Sequence, residues 1–137
     1  MPEFLIETQE QLDCLTEWWK AELGLENWEI VASLVDRKTT RGNHGNCEAV
    51  EEKNLAVIRI LRARDRSSLE IGDALDMEVT LVHELLHCRL AAFNGRAKGD
   101  HKDICQEQAV HALSKTLVRM SRKRRSKPRC CLPTPPS

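Results

Sequence analysis

Thr80-Leu81-Val82-His83-Glu84-Leu85-Leu86-His87-Cys88 is the stretch that decides how this 137-residue chain folds. It lies inside a longer apolar pattern of Leu75, Met77, Val79, Leu81, Val82, Leu85, Leu86, Cys88, Leu90 and Phe93. So few polar positions predict a largely buried helix. Asp73 is expected to cap it, and Asn94-Gly95 to end it just past Phe93. Thr80, His83, Glu84 and His87 are the polar exceptions. Two histidines and an acid on an apolar helix are costly unless a metal or hydrogen bonds compensate them.

His83 and His87 are four residues apart, so on a helix they project from one face, one turn apart. Two imidazoles so placed can bind one zinc ion. Glu84 is the next residue round, where its carboxylate stands beside the metal and can take a proton from a metal-bound water. A catalytic zinc keeps three protein ligands and one open position. Glu107 is the expected third ligand, on the inward side of the following helix with Ile104, Val110, His111 and Ser114. His101, at the start of that helix, is the competing third ligand. His111, one turn beyond Glu107, is a candidate to hydrogen-bond a ligand or to donate to a developing oxyanion. The chain has no tyrosine, so His44, His101, His111 or an arginine must supply any such donor.

Working outward, Thr8 and Gln11 form a capping box for a helix whose packing face is Leu12, Leu15, Trp19 and Leu23, stopped by Gly24. Trp28, Ile30, Ala32 and Leu34 alternate with Glu29, Val31 and Ser33, a strand pattern. Residues 36–47 read as a turn or long loop. Cys47–Leu61 reads as one strand, or as two joined by a Glu51-Glu52-Lys53-Asn54 turn. The last helix is expected over His101–Met120, with Ala109, Val110, Leu113, Leu117 and Met120 as its core stripe. The fold class is α+β: an N-terminal packing helix, a small mainly antiparallel sheet, the histidine helix, and a C-terminal helix carrying the third ligand.

Apolar residues make up 41% of the chain and charged residues 31%, the balance of a soluble globular domain. No apolar run approaches the roughly 20 residues that span a bilayer. The N-terminus lacks the pattern of a secretory signal. The six cysteines match no disulfide framework, which predicts reduced structural thiols. The expected compartment is the cytoplasm, of a cell or of a phage-infected host, with no membrane contact. Residues 1–60 hold 12 acids and 6 bases, whereas residues 115–137 hold 8 bases and no acid. The expected division is a folded domain over 1–120 and a basic, proline-containing disordered tail over 121–137. That tail suits solubilisation, or weak, salt-sensitive contact with nucleic acid.

Val82-His83-Glu84-Leu85-Leu86-His87 with the later Glu107-Gln108-Ala109-Val110 resembles the gluzincin side of the zincin metallopeptidases. The likeness is to minimal gluzincins, ImmA/IrrE-like proteins and small phage-encoded proteins with an H-E-L-L-H helix and a later E-Q-A helix. It implies a zinc peptidase with His83, His87 and Glu107 as ligands and Glu84 as general base. It also implies a sheet whose edge strand, here within Asn54–Leu61, pairs with an extended peptide or protein substrate. Gluzincins often carry an acid four residues after the ligand glutamate; this chain has His111 there. The chain also resembles the SprT-like, DNA-associated proteases, which take a later histidine as ligand, here His101, and which the basic tail would suit; the glycine they usually carry next is Lys102. A zinc-stabilised regulatory module without hydrolysis is the alternative from outside enzymology. It would have no use for a base at Glu84.

Overall fold

The structure, a computed structural model, describes residues 5–40, 43–65, 76–90 and 101–125, the backbone alone for 101–104. Helix α1 spans Gln9–Glu22. The Thr8 hydroxyl accepts from the Gln11 N–H, and the Gln11 side chain accepts from the Thr8 N–H, so the capping box is complete. Leu12, Leu15 and Trp19 are buried. Gly24 leaves the helix at φ +70°, a left-handed conformation that favours glycine.

Strand β1 (Glu29–Val35) leads through a single helical turn, α2 (Arg37–Thr40), to strand β2 (Gly45–Val50). A 3-10 turn over Glu51–Lys53 and a left-handed Asn54 then reverse the chain into β3 (Leu55–Leu61). Cys47–Leu61 is thus two strands. The strand order is β1-β3-β2, with β1 parallel and β2 antiparallel to β3. The α+β class and the order of elements are as expected, while the sheet is mixed, one pairing of each kind. The excursion through α2 and β2 lets the chain re-enter beside β1 in the same direction. Leu55–Leu61 therefore lies at the centre of the sheet, paired on both sides, and cannot be the edge strand that the resemblance implied.

The two edges differ. On β1, the Gln9 side chain donates to the Ala32 carbonyl (2.7 Å) and accepts from the Leu34 N–H (3.3 Å). It fills the middle of that edge as a neighbouring strand would. On β2, no strand lies beyond among the described residues.

One sheet face, Ala32, Leu34, Ala56, Ile58 and Ile60, is buried against α1 and helix α3 (Met77–Arg89). Helix α4 (His101–Arg124) packs on α3. Being enclosed by α1, the sheet and α4 explains why α3 is apolar on almost every side. Its cap is Asp76, which accepts from the Glu78 and Val79 N–H groups; Asp73, Leu75 and Phe93 lie outside the described residues.

Two expectations about α4 fail in part, although Val110 is buried and Leu117 packs on the core as expected. Its buried stripe is Val110, Ser114, Val118 and Ser121, while Leu113 and Met120 are 49% and 56% exposed. Small serines let α4 sit close to its neighbours, and the Ser114 hydroxyl is satisfied by the Val110 carbonyl (2.7 Å). The ordered body also does not stop at residue 120. Arg122 grips Asp76 with two bonds of 2.9 Å and reaches Glu78 at 3.1 Å. Arg125 grips Glu78 through bonds of 2.8 and 2.9 Å. The Trp19 indole N–H completes Glu78 at 2.8 Å. Glu78 is fully buried and Arg125 nearly so. Residues 121–125 thus belong to the folded domain, because their guanidinium groups neutralise two acids at the start of α3. The rest of the expected tail, 126–137, lies outside the described residues.

No described helix is long and apolar enough to cross a membrane. Cys47, Cys88 and Cys105 are thiols, but Cys14 is in a disulfide, contrary to the expectation of thiols throughout.

Candidate metal centre

Helix α3 carries His83, Glu84 and His87 on its last two turns, and α4 brings Glu107 to them. The two imidazole Nε2 atoms face each other at 3.2 Å. Glu107 bridges them: Oε1 lies 2.6 Å from His83 Nε2, and Oε2 lies 3.0 Å from His87 Nε2. Four donor atoms from three side chains therefore converge on one point. A tetrahedral zinc with bonds of about 2.05 Å to nitrogen separates two such nitrogens by about 3.3 Å. The observed spacing fits that ion, and two imidazoles with one carboxylate suit its chemistry. Convergence also keeps one side open, since the Glu107 side chain is 55% exposed.

Burial pushes the His83 imidazole below its ordinary value, against the pull of the Glu107 charge. A neutral imidazole is the form that binds a metal. Glu84 is 8% exposed, with a ligand atom within 4.8 Å of those of His83 and His87. Burial, and then the Glu107 charge, push its carboxyl up to about 7. An acid so tuned can hold and release a proton near neutral pH.

His111 stands on α4 with its ring 6.0 Å from that of His83, edge-on and exposed to solvent. It is at the rim of the residues that converge there. His101 begins α4, but its side chain lies outside the described residues. His44 directly precedes β2, and its carbonyl accepts the Leu61 N–H.

Two features of the centre had no signal in the sequence. A Cβ on Gly45 would lie 3.0 Å from Thr80 Cγ2, 3.0 Å from the Arg59 carbonyl oxygen and 3.4 Å from Glu84 Cγ. Glycine there lets β2 lie directly on α3 beside Glu84, whereas its sequence surroundings, Asn43-His44-Gly45-Asn46, suggest only a turn. The second is the pair Cys47 and Cys88, whose Sγ atoms are 3.0 Å apart. The Cys88 contact, then burial, push the Cys47 thiol well above the usual thiol range. The acids at the start of α3 had a readable signal: Arg122 and Arg125 are three residues apart, continuing the helix face of Ser114, Val118 and Ser121.

No family model, no curated protein and no solved structure matches this chain.

Proposed function

We propose that the protein is a zinc-dependent metallopeptidase acting on an extended peptide segment. The observation that carries this reading is the convergence of His83, His87 and Glu107 beside a buried carboxyl at Glu84. His83, His87 and Glu107 would hold the ion, which when bound lowers the pKa of a water and polarises a carbonyl. Glu84 removes the proton from the attacking water and passes it to the leaving amine. Its raised pKa suits both halves of that transfer. His111, at the rim, is within reach to donate to the carbonyl oxygen as charge develops there.

The substrate runs along β2. Gln9 obstructs the other edge, and β2 lies against α3 at Gly45 and Cys47, next to Glu84. Main-chain hydrogen bonds to β2 would hold a peptide in extended form beside the centre. The reading based on His101 and nucleic-acid anchoring draws no comparable support. Glu107 already bridges both imidazoles, and Arg122 and Arg125 are spent on internal ion pairs.

The test is a pair of measurements on Glu84→Gln. Zinc content should stay at about one ion per chain, as in wild type, while cleavage in a peptide library falls by roughly 100- to 10,000-fold. Unchanged cleavage with zinc in place would remove Glu84 from the mechanism. Absence of stoichiometric zinc in wild type after metal is supplied would remove the proposal itself.

A further inference from the structure

Cys47 is on the inner face of β2, paired in register with Ile58, and points at α3. Cys88 follows His87 directly, on the last turn of α3 before the Leu90 cap. Their sulfurs are 3.0 Å apart, and both are free thiols. A disulfide has a bond of about 2.05 Å, so about 1 Å of further approach joins them, within the play of a rotamer adjustment. Cys88 is 1% exposed, whereas Cys47 is half-buried and so within reach of a small oxidant.

We propose that Cys47 and Cys88 form a reversible disulfide that locks the edge strand β2 onto the end of the histidine helix α3. The oxidant is a peroxide, and because the Cys88 contact and burial hold the Cys47 thiol protonated, the step is slow and calls for prolonged exposure. The Cys47 sulfur attacks one oxygen of hydrogen peroxide, the O–O bond breaks, and the thiol proton leaves with the departing hydroxide as water. The Cys88 sulfur then attacks the resulting sulfenic sulfur, forming the S–S bond and expelling a second water. Two thiols lose two hydrogens and two electrons, and one peroxide becomes two waters. A small dithiol reverses the step by exchange.

The bond ties together segments 41 residues apart in sequence. It holds the last turn of α3, where His87 sits, against the strand that passes Glu84. Oxidation therefore suppresses local opening of that turn. The lock stands whether or not the histidines hold a metal, because it rests on the two sulfurs alone.

The experiment treats the folded full-length chain with hydrogen peroxide, blocks remaining thiols by alkylation, and maps the non-reduced digest by mass spectrometry. A linked peptide pair joining Cys47 to Cys88, lighter by two hydrogens and separated by dithiothreitol, is expected. Amide exchange in the last turn of α3 should slow at least several-fold on oxidation. Dithiothreitol also reduces the disulfide at Cys14, so Cys47→Ser is carried through the same cycle and should show neither the link nor the slowing. Cys88→Ser serves as a second variant should the first fail to fold. Recovery of Cys47 and Cys88 as separately alkylated peptides after oxidation would overturn the proposal. So would a link that forms without slowing exchange in α3.

Discussion

Glu84 is a carboxyl that the fold prefers to keep protonated until something positive arrives beside it. Its pKa of about 7 stands above the ordinary 4.5 because burial and Glu107 disfavour its charge. The unfolded chain releases this proton near 4.5, whereas the metal-free folded chain keeps it to about 7. The stabilisation is thus fully present below about pH 4.5 and is lost as pH rises through about 7. In metal-free protein, Glu84→Gln should therefore match wild type near pH 4.5 and exceed it in stability by roughly 3 kcal/mol at pH 8. Urea unfolding in the presence of chelator at the two pH values measures this, and a difference that does not change with pH would contradict it. Gly45 acts at the same scale by absence. Gly45→Ala should displace β2 from α3, since backbone at 3.0 Å cannot yield as a side-chain end can. A several-fold loss of peptide cleavage with zinc content unchanged is expected. The histidine pair and its glutamate neighbour were legible because their chemistry depends on helical spacing alone. Gly45 was not, because its role depends on which strand crosses which helix.

At the scale of elements, α1 could be read almost completely in advance. Its cap, packing face and stop all lie within neighbouring residues. Helix α4 could not, because its apolar residues spread over a wide arc and the packing partner selects the stripe. Val110, Ser114 and Val118 were selected, leaving Leu113 and Met120 in solvent. The same rotation presents Glu107 to α3, so α4 acts as the arm that completes the centre. Glu107→Ala should therefore lower zinc affinity by at least about 10-fold and leave the helix content unaltered, measured by competition with a chelator dye and by circular dichroism. His101→Ala should keep the affinity of wild type. The reverse pattern would transfer the third ligand to His101. Similarly, the edge strand that the resemblance implied within Asn54–Leu61 proved central, because the mixed order β1-β3-β2 arises from a crossover that no local pattern encodes.

Across the whole molecule, the basic end of the sequence becomes an interlock with acids far from it in the chain. Arg122 and Arg125 return to Asp76 and Glu78, and Arg124 meets Glu22 at 2.5 Å. The bases looked like a solvated run because composition ignores their spacing, and only the spacing puts Arg122 and Arg125 on the buried face of α4. Burial pushes the Asp76 carboxyl upward, with Arg122 pulling against it. Losing a partner there leaves a buried charge uncompensated. Arg125→Ala should cost about 3–5 kcal/mol of stability, read from denaturant unfolding. Glu78→Gln in that background should recover part of the loss, since it removes the stranded charge. If Arg125→Ala is neutral, the end of α4 is the solvated tail that the composition suggested.

The Gln9 side chain across β1 has a consequence for crowded solutions. An open sheet with two receptive sides can pass its hydrogen bonding from copy to copy without limit, which is how fibres grow. Here one side is occupied at its middle by the chain's own amide, so among the described residues strand-to-strand pairing of copies is left to β2. Such a meeting is two-fold and self-complementary, and it consumes the receptive side of both partners. Growth through the sheet ends at two molecules, and under the proposed function each pair so formed is one that an arriving peptide must separate.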